Sequence, residues 1–278
     1  MATLGFELLF RLLWGFALSV VFVRRTESSE KFVKIAARFV WGLAAAALAL
    51  GGFSDHSWQV LGAMIATAAG FELYARVYAR WGRLLGFALL VAAPFVAFAS
   101  TGVQGVFHFL SSGLLLGGFF GGQFLGHWFL NVPGMHIREL GRLMTFLFIG
   151  LTAKTLEALW AIVLRLQIAS APVIDPMGRP LGEDATNTDF LLKLNPSNSL
   201  FSLEGDLWLK LGSYGLILVS MRLIWGIIAP WVLALMVRDS VSRRATQSAT
   251  GILYAACVMV LVGEAVALYI RDVLKIFM

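Results

Sequence analysis

Charge is scarce in this chain. Only 14% of its 278 residues are Asp, Glu, Lys or Arg, about half the share usual in soluble domains. Cysteine is scarcer still. Cys257 stands alone inside an apolar run, which excludes an intrachain disulfide and a cysteine-built metal centre. The chain carries no Walker lysine loop, no Gly-x-Ser-x-Gly elbow and no His-Glu-x-x-His pair. Phosphate-loop hydrolysis, elbow-type acyl transfer and zinc proteolysis therefore have no footing. No Ser/His or paired-Asp constellation stands out, so no catalytic residue and no metal ligand set is assigned.

Apolar residues are abundant instead. They make up 59% of the chain, with 22 Phe and 9 Trp, and mean hydropathy is +0.82. A soluble core of this size could not hide so many large apolar side chains and keep a wettable surface. This excludes a disordered chain, a collagen-like fibre and an ordinary soluble enzyme. The expected fold class is an all-α polytopic integral membrane protein, one transmembrane domain over 1–278.

A bilayer core about 30 Å thick needs about 20 apolar residues per helix. Eight segments qualify: 5–23, 34–53, 57–75, 84–101, 105–131, 143–168, 208–237 and 250–271. Arg24 and Arg25 follow the first apolar stretch rather than precede it, so that stretch reads as a span and not as a cleavable signal peptide. In the second span Lys34 and Arg38 must snorkel to the interface. In the seventh, Pro230 removes a backbone hydrogen bond and predicts a kink.

Lysine and arginine placement orients the bundle. With both termini on the outer, non-cytoplasmic side, 13 of the 22 basic residues fall on the cytosolic side. That basic face explains the net charge of +6 through anionic lipid rather than nucleic acid. A bacterial cytoplasmic (inner) membrane is the expected location. The segment 167–207 is the one long polar stretch and is expected outside. It sets Asp175, Glu183, Asp184, Asp189, Glu204 and Asp206 against Arg179 and Lys193. Loops this long are commonly functional or partner-bound, so a solvated cap and a docking surface for a partner protein are both open.

The fifth span carries glycines at 113, 117, 118, 121, 122 and 126, overlapping small-xxx-small pairs that let helix backbones approach closely in lipid. The same spacing could leave room for a flat cofactor. Four histidines are candidate cofactor ligands: His56 with His108 at one membrane level, and His127 with His136 at the other. His108 and His127 are about 28 Å apart along one helix, so they cannot share a haem. Trp128 beside His127 fits either a ligand site or the interfacial aromatic belt. Quinone is the candidate cofactor, with haem b the lesser one.

Ionisable residues at membrane depth are costly and usually face a cavity or a partner. Glu7 with Arg11, and Glu72 with Arg76, are i,i+4 pairs in the favourable orientation and read as self-neutralising. Lys154 and Glu157 lie near the centre of the sixth span. Arg222 and Glu264 have no opposite charge three or four residues away on their own helices, so they are expected to meet. Lys154, Glu157, Arg222 and Glu264 then form a cluster of zero formal charge, either a structural lock or a coupling site. Thr152, Thr155, Tyr214, Ser220 and Tyr254 are the neutral candidates to line it.

The functional expectation is a membrane-embedded subunit of an electron-transfer or energy-coupling system, working in a complex or as a homo-oligomer. The alternatives are a small secondary transporter or channel coupled through the buried ion pairs, and a non-catalytic scaffold or assembly subunit.

Overall fold

The computed structural model describes residues 2–23, 27–51, 58–76, 80–98, 102–132, 137–169 and 217–274. All of its regular structure there is helical. The helices are α1 (Ala2–Val21), α2 (Glu27–Gly51), α3 (Trp58–Arg76), α4 (Arg80–Phe98), α5 (Gly102–Asn131) and α6 (Ile137–Ala169). They are followed by α7 (Ile217–Ser242) and α8 (Thr246–Leu274). Six of these, α1, α2, α5, α6, α7 and α8, are long and apolar enough to cross a membrane. The chain is thus a multi-pass helical membrane protein. Helices α3 and α4 have 19 residues each and fall short of that measure. They pack on each other as an antiparallel hairpin, with Gly70 of α3 against the Gly86 carbonyl of α4.

Several expected boundaries move. Helix α6 continues through Ala169, so positions 167–169 belong to a helix and not to the polar segment; 170–216 lies outside the described residues. Helix α7 extends to Ser242 rather than 237; its expected start near 208 lies outside the described residues. Lys154 and Glu157 lie near the middle of α6, Ile137–Ala169, as expected.

Successive helices alternate in direction. One end of the bundle gathers Ala2, Gly102 and Leu274; we call it the terminal end. The opposite, basic end carries Arg138, Arg142, Arg238, Arg243 and Arg244.

Helix α5 is the hub, and its glycines face three different neighbours. A Cβ on Gly117 would overlap the backbone of Gly15 in α1, and one on Gly113 would strike the Trp14 ring. Gly118 meets Leu147 of α6, while Gly122 and Gly126 meet Leu253 and Thr250 of α8. In lipid no water is expelled by such contacts, so close backbone packing itself supplies the association energy.

Two helix-interior prolines, Pro94 and Pro230, lie among the described residues. Pro94 in α4 cannot donate to the carbonyl of Leu90, four residues earlier. The Trp14 indole N–H donates to that carbonyl instead, at 2.9 Å, tying α1 to α4. Pro230 follows a π-helical turn, Ile224–Ile228, in which the Ala229 N–H bonds the Ile224 carbonyl. The irregularity thus begins a full turn before the proline. Helix α7 ends in a Schellman geometry: Ala245 N–H bonds the Ser240 carbonyl and Arg244 N–H the Val241 carbonyl. Arg244 occupies the left-handed position at φ 59°, where glycine is usual.

Candidate functional site

The site lies in the half of the bundle nearer the terminal end, where α1, α5, α6, α7 and α8 converge. Its framework is set by small residues. Gly226 of α7 and Gly263 of α8 touch backbone to backbone, and this crossing brings Arg222, one turn before Gly226, to Glu264, the residue after Gly263. Their charged ends are 3.1 Å apart, at 2% and 0% exposure. The Arg222 guanidinium lies over Gly226, where a Cβ would overlap it.

Lys154 of α6, 1% exposed, is the centre of the network. It pairs with Glu157 at 2.9 Å and with Glu264 at 3.5 Å, and its ammonium donates to Ser112 Oγ of α5 at 2.8 Å. Glu157 in turn contacts His108 Nδ1 and accepts from the Ser111 hydroxyl. Lys154 Nζ lies 3.4 Å from the same histidine nitrogen. On the other side of Ser112, Arg11 of α1 donates to its Oγ at 3.1 Å and to Glu7 at 3.3 Å. Arg271 of α8 closes the chain, donating to Glu7 at 2.6 Å. Glu7 and Arg271 retain 25% and 17% exposure, so the network runs from the bundle's edge to its interior.

The expected cluster of Lys154, Glu157, Arg222 and Glu264 is therefore assembled, but as part of a larger constellation that is not charge-neutral. Among the described residues, four cations, Arg11, Lys154, Arg222 and Arg271, face three carboxylates, Glu7, Glu157 and Glu264. The expectation of a closed Glu7–Arg11 pair is corrected, because Glu7 is shared across the bundle with Arg271. Ionised groups cost several kcal/mol each to remove from water even after relaxation, and the Arg222 guanidinium meets Glu264 as an ion pair without a hydrogen bond.

Ser111 and Ser112 were missed as partners, and the sequence carried a signal for them. His108, Ser111 and Ser112 follow an i, i+3, i+4 spacing, one polar face on a helix otherwise lined with glycine. Of the neutral partners expected, Thr155 instead accepts from the Trp231 indole at 2.9 Å, and Thr152 bonds its own helix. Ser220 is exposed, and Tyr214 lies outside the described residues.

The other candidates lie apart from the network. His127 is exposed near the basic end, its Nδ1 3.4 Å from the Tyr254 hydroxyl. Trp128 stacks obliquely on Phe32, ring centroids 6.1 Å apart. Glu72 and Arg76 pair with each other along α3. His56 and His136 lie outside the described residues. Among the described residues no group of three or more His, Cys, Asp or Glu gathers as a metal set.

No family model, curated protein or solved structure matches the chain. The class defined by fold and site is a multi-pass helical membrane protein with a buried ion network at a five-helix junction.

Proposed function

We propose that the chain is a membrane-embedded subunit of an energy-coupling or electron-transfer system, and that the buried network is its proton-handling element. The observation that carries this is the surplus cation: four fixed or potential positive charges against three carboxylates in a lipid-clad interior. A lock built only for stability gains nothing from a net charge, which low dielectric penalises.

Arginine keeps its proton in proteins, so Arg11, Arg222 and Arg271 hold fixed charges that the three carboxylates can balance. Lys154 is the member whose charge can leave. Loss of one proton from its ammonium, with the pair of electrons left on nitrogen, makes the network neutral; return of the proton restores the surplus. His108, whose Nδ1 faces the Glu157 carboxylate and lies 3.4 Å from Lys154 Nζ, is the neighbouring imidazole, held in place by Glu157, and the proton must leave the network for its charge to change. Glu7 and Arg271 mark where the network meets the edge of the bundle. A quinone is the candidate ligand, because its carbonyl oxygens are acceptors that complement an excess of ammonium and guanidinium donors. A haem b held by two histidines is the weaker candidate, since His108 already faces Glu157 and Lys154.

The reading includes eight spans with both termini outside, a bacterial inner membrane, and a redox partner protein at the acidic segment 167–207. A proton-coupled transporter would use the same surplus charge, and the partial exposure of Glu7 and Arg271 favours it as the second reading.

The test uses purified protein in nanodiscs of native lipid. Alkaline titration of the wild type should release one proton more than the Lys154→Met variant, and organic extraction should recover a quinone in amounts that follow the protein. Identical proton release from the two proteins would leave the network a structural lock. Proton release without quinone would move the assignment to the transporter.

A further inference from the structure

The basic end of the bundle holds a feature unrelated to the ion network. An open groove of about 410 Å³ runs between α6 and α7, walled by Gly141, Met144 and Phe148 on one side and Arg238, Val241 and Ser242 on the other. This volume lies within the range of small-ligand clefts, about 300–1,000 Å³, and suits one acyl chain. Gly141 lines this groove, and a side chain there would have room, since a Cβ would meet nothing within 4 Å.

The lining has little to offer a polar ligand except at its mouth. The Ser242 hydroxyl is spent on the Asp239 carbonyl at 2.7 Å, and that of Thr145 on the Gly141 carbonyl. The nearby acids are engaged as well, Asp239 with Arg243 at 3.0 Å and Glu139 with Arg142 at 3.2 Å. Arg238, by contrast, makes no hydrogen bond or ion pair among the described residues. It stands four residues from the end of α7, about 6 Å along the axis, at headgroup level. Phe148 lies about 10 Å deeper than Gly141. An uncommitted guanidinium thus tops an apolar slot that descends along the helices.

We infer that this groove is a binding site for an anionic phospholipid, with the lipid phosphate on Arg238 and one acyl chain between α6 and α7. The charge decides the occupant. A planar guanidinium matches phosphate oxygens bidentately, and basic pockets between helices on the cytoplasmic side are known to take anionic headgroups. The inference is independent of what the ion network does.

Native mass spectrometry of detergent-purified protein, incubated with phosphatidylglycerol or phosphatidylethanolamine, tests it. The wild type should retain phosphatidylglycerol in preference to phosphatidylethanolamine. Arg238→Gln should lower phosphatidylglycerol retention roughly fivefold, the equivalent of about 1 kcal/mol per basic residue at the surface. Gly141→Leu, which fills the groove without touching the fold, should abolish retention of both lipids. Lys31→Gln on α2 serves as the remote control and should change nothing. Equal retention of the two lipids by the wild type would overturn the site. So would a loss in Lys31→Gln as large as that in Arg238→Gln, or undiminished retention by Gly141→Leu.

Discussion

Removing Glu264 and removing Arg222 should have unequal consequences, although the two residues form one ion pair. Glu264 is fully buried and lies 3.1 Å from Arg222 and 3.5 Å from Lys154. Glu264→Gln therefore strands Arg222, leaves Lys154 with Glu157 alone, and leaves four cations facing two carboxylates. Breaking a buried pair by deleting one partner costs about 3–5 kcal/mol, which lowers the folded-to-unfolded ratio by roughly two to four powers of ten. Arg222→Met acts differently. Glu264 keeps Lys154, and three cations then face three carboxylates, so the cost should stay near about 1–2 kcal/mol, within the ordinary range for substitutions. The double variant restores the wild-type surplus of one and should fall between the two singles. Thermal stability followed by size-exclusion chromatography in detergent gives the order: wild type, Arg222→Met, double variant, Glu264→Gln. If Arg222→Met is as unstable as Glu264→Gln, the charge count does not govern this interior and the reasoning fails.

Other consequences follow from packing and topology. Gly117→Leu should prevent accumulation of folded protein in the membrane, because its side chain would occupy the backbone of Gly15. Gly251→Leu, at a position with open space, should accumulate like the wild type, and equal yields would remove α5 from the centre of the bundle. Trp14→Phe leaves the Leu90 carbonyl without a donor and should cost about 1–3 kcal/mol, read as a lower midpoint in the same thermal assay; an unchanged midpoint would show that the bond carries no weight. An impermeant maleimide on intact cells should label cysteines placed at Ser170 or Thr188 but not at Ser29 or Ser242. The reverse pattern would invert the orientation.

Much of the fold was legible in the chain because a bilayer imposes a one-dimensional rule. Every backbone polar group in lipid must be satisfied within its own helix or barrel, so an apolar run of sufficient length is a helix whatever its neighbours. The runs at 5–23, 105–131 and 250–271 were readable on that ground, and so was the glycine face of α5. The same rule left the hairpin of α3 and α4 open, since their 19-residue helices do not meet the measure of length and apolarity that the other six do. It was too coarse for the start of α6, where a polar stretch with Arg138, Glu139 and Arg142 is already helical from Ile137.

What the tertiary structure alone decided is which charges share a site. Solitary opposite charges at similar depth, such as Arg222 and Glu264, point to each other because lipid leaves them no alternative. The rotation of each helix about its axis has no such signature in hydropathy. That rotation decides that Glu7 meets Arg271 at 2.6 Å across 264 positions of chain. It turns Ser111, Ser112 and His108 toward Lys154 and Glu157 rather than toward lipid. Glycine contacts between backbones set the rotation: Gly15 on Gly117, and Gly226 on Gly263. The surplus positive charge of the site emerges only once those crossings have chosen the members of the network.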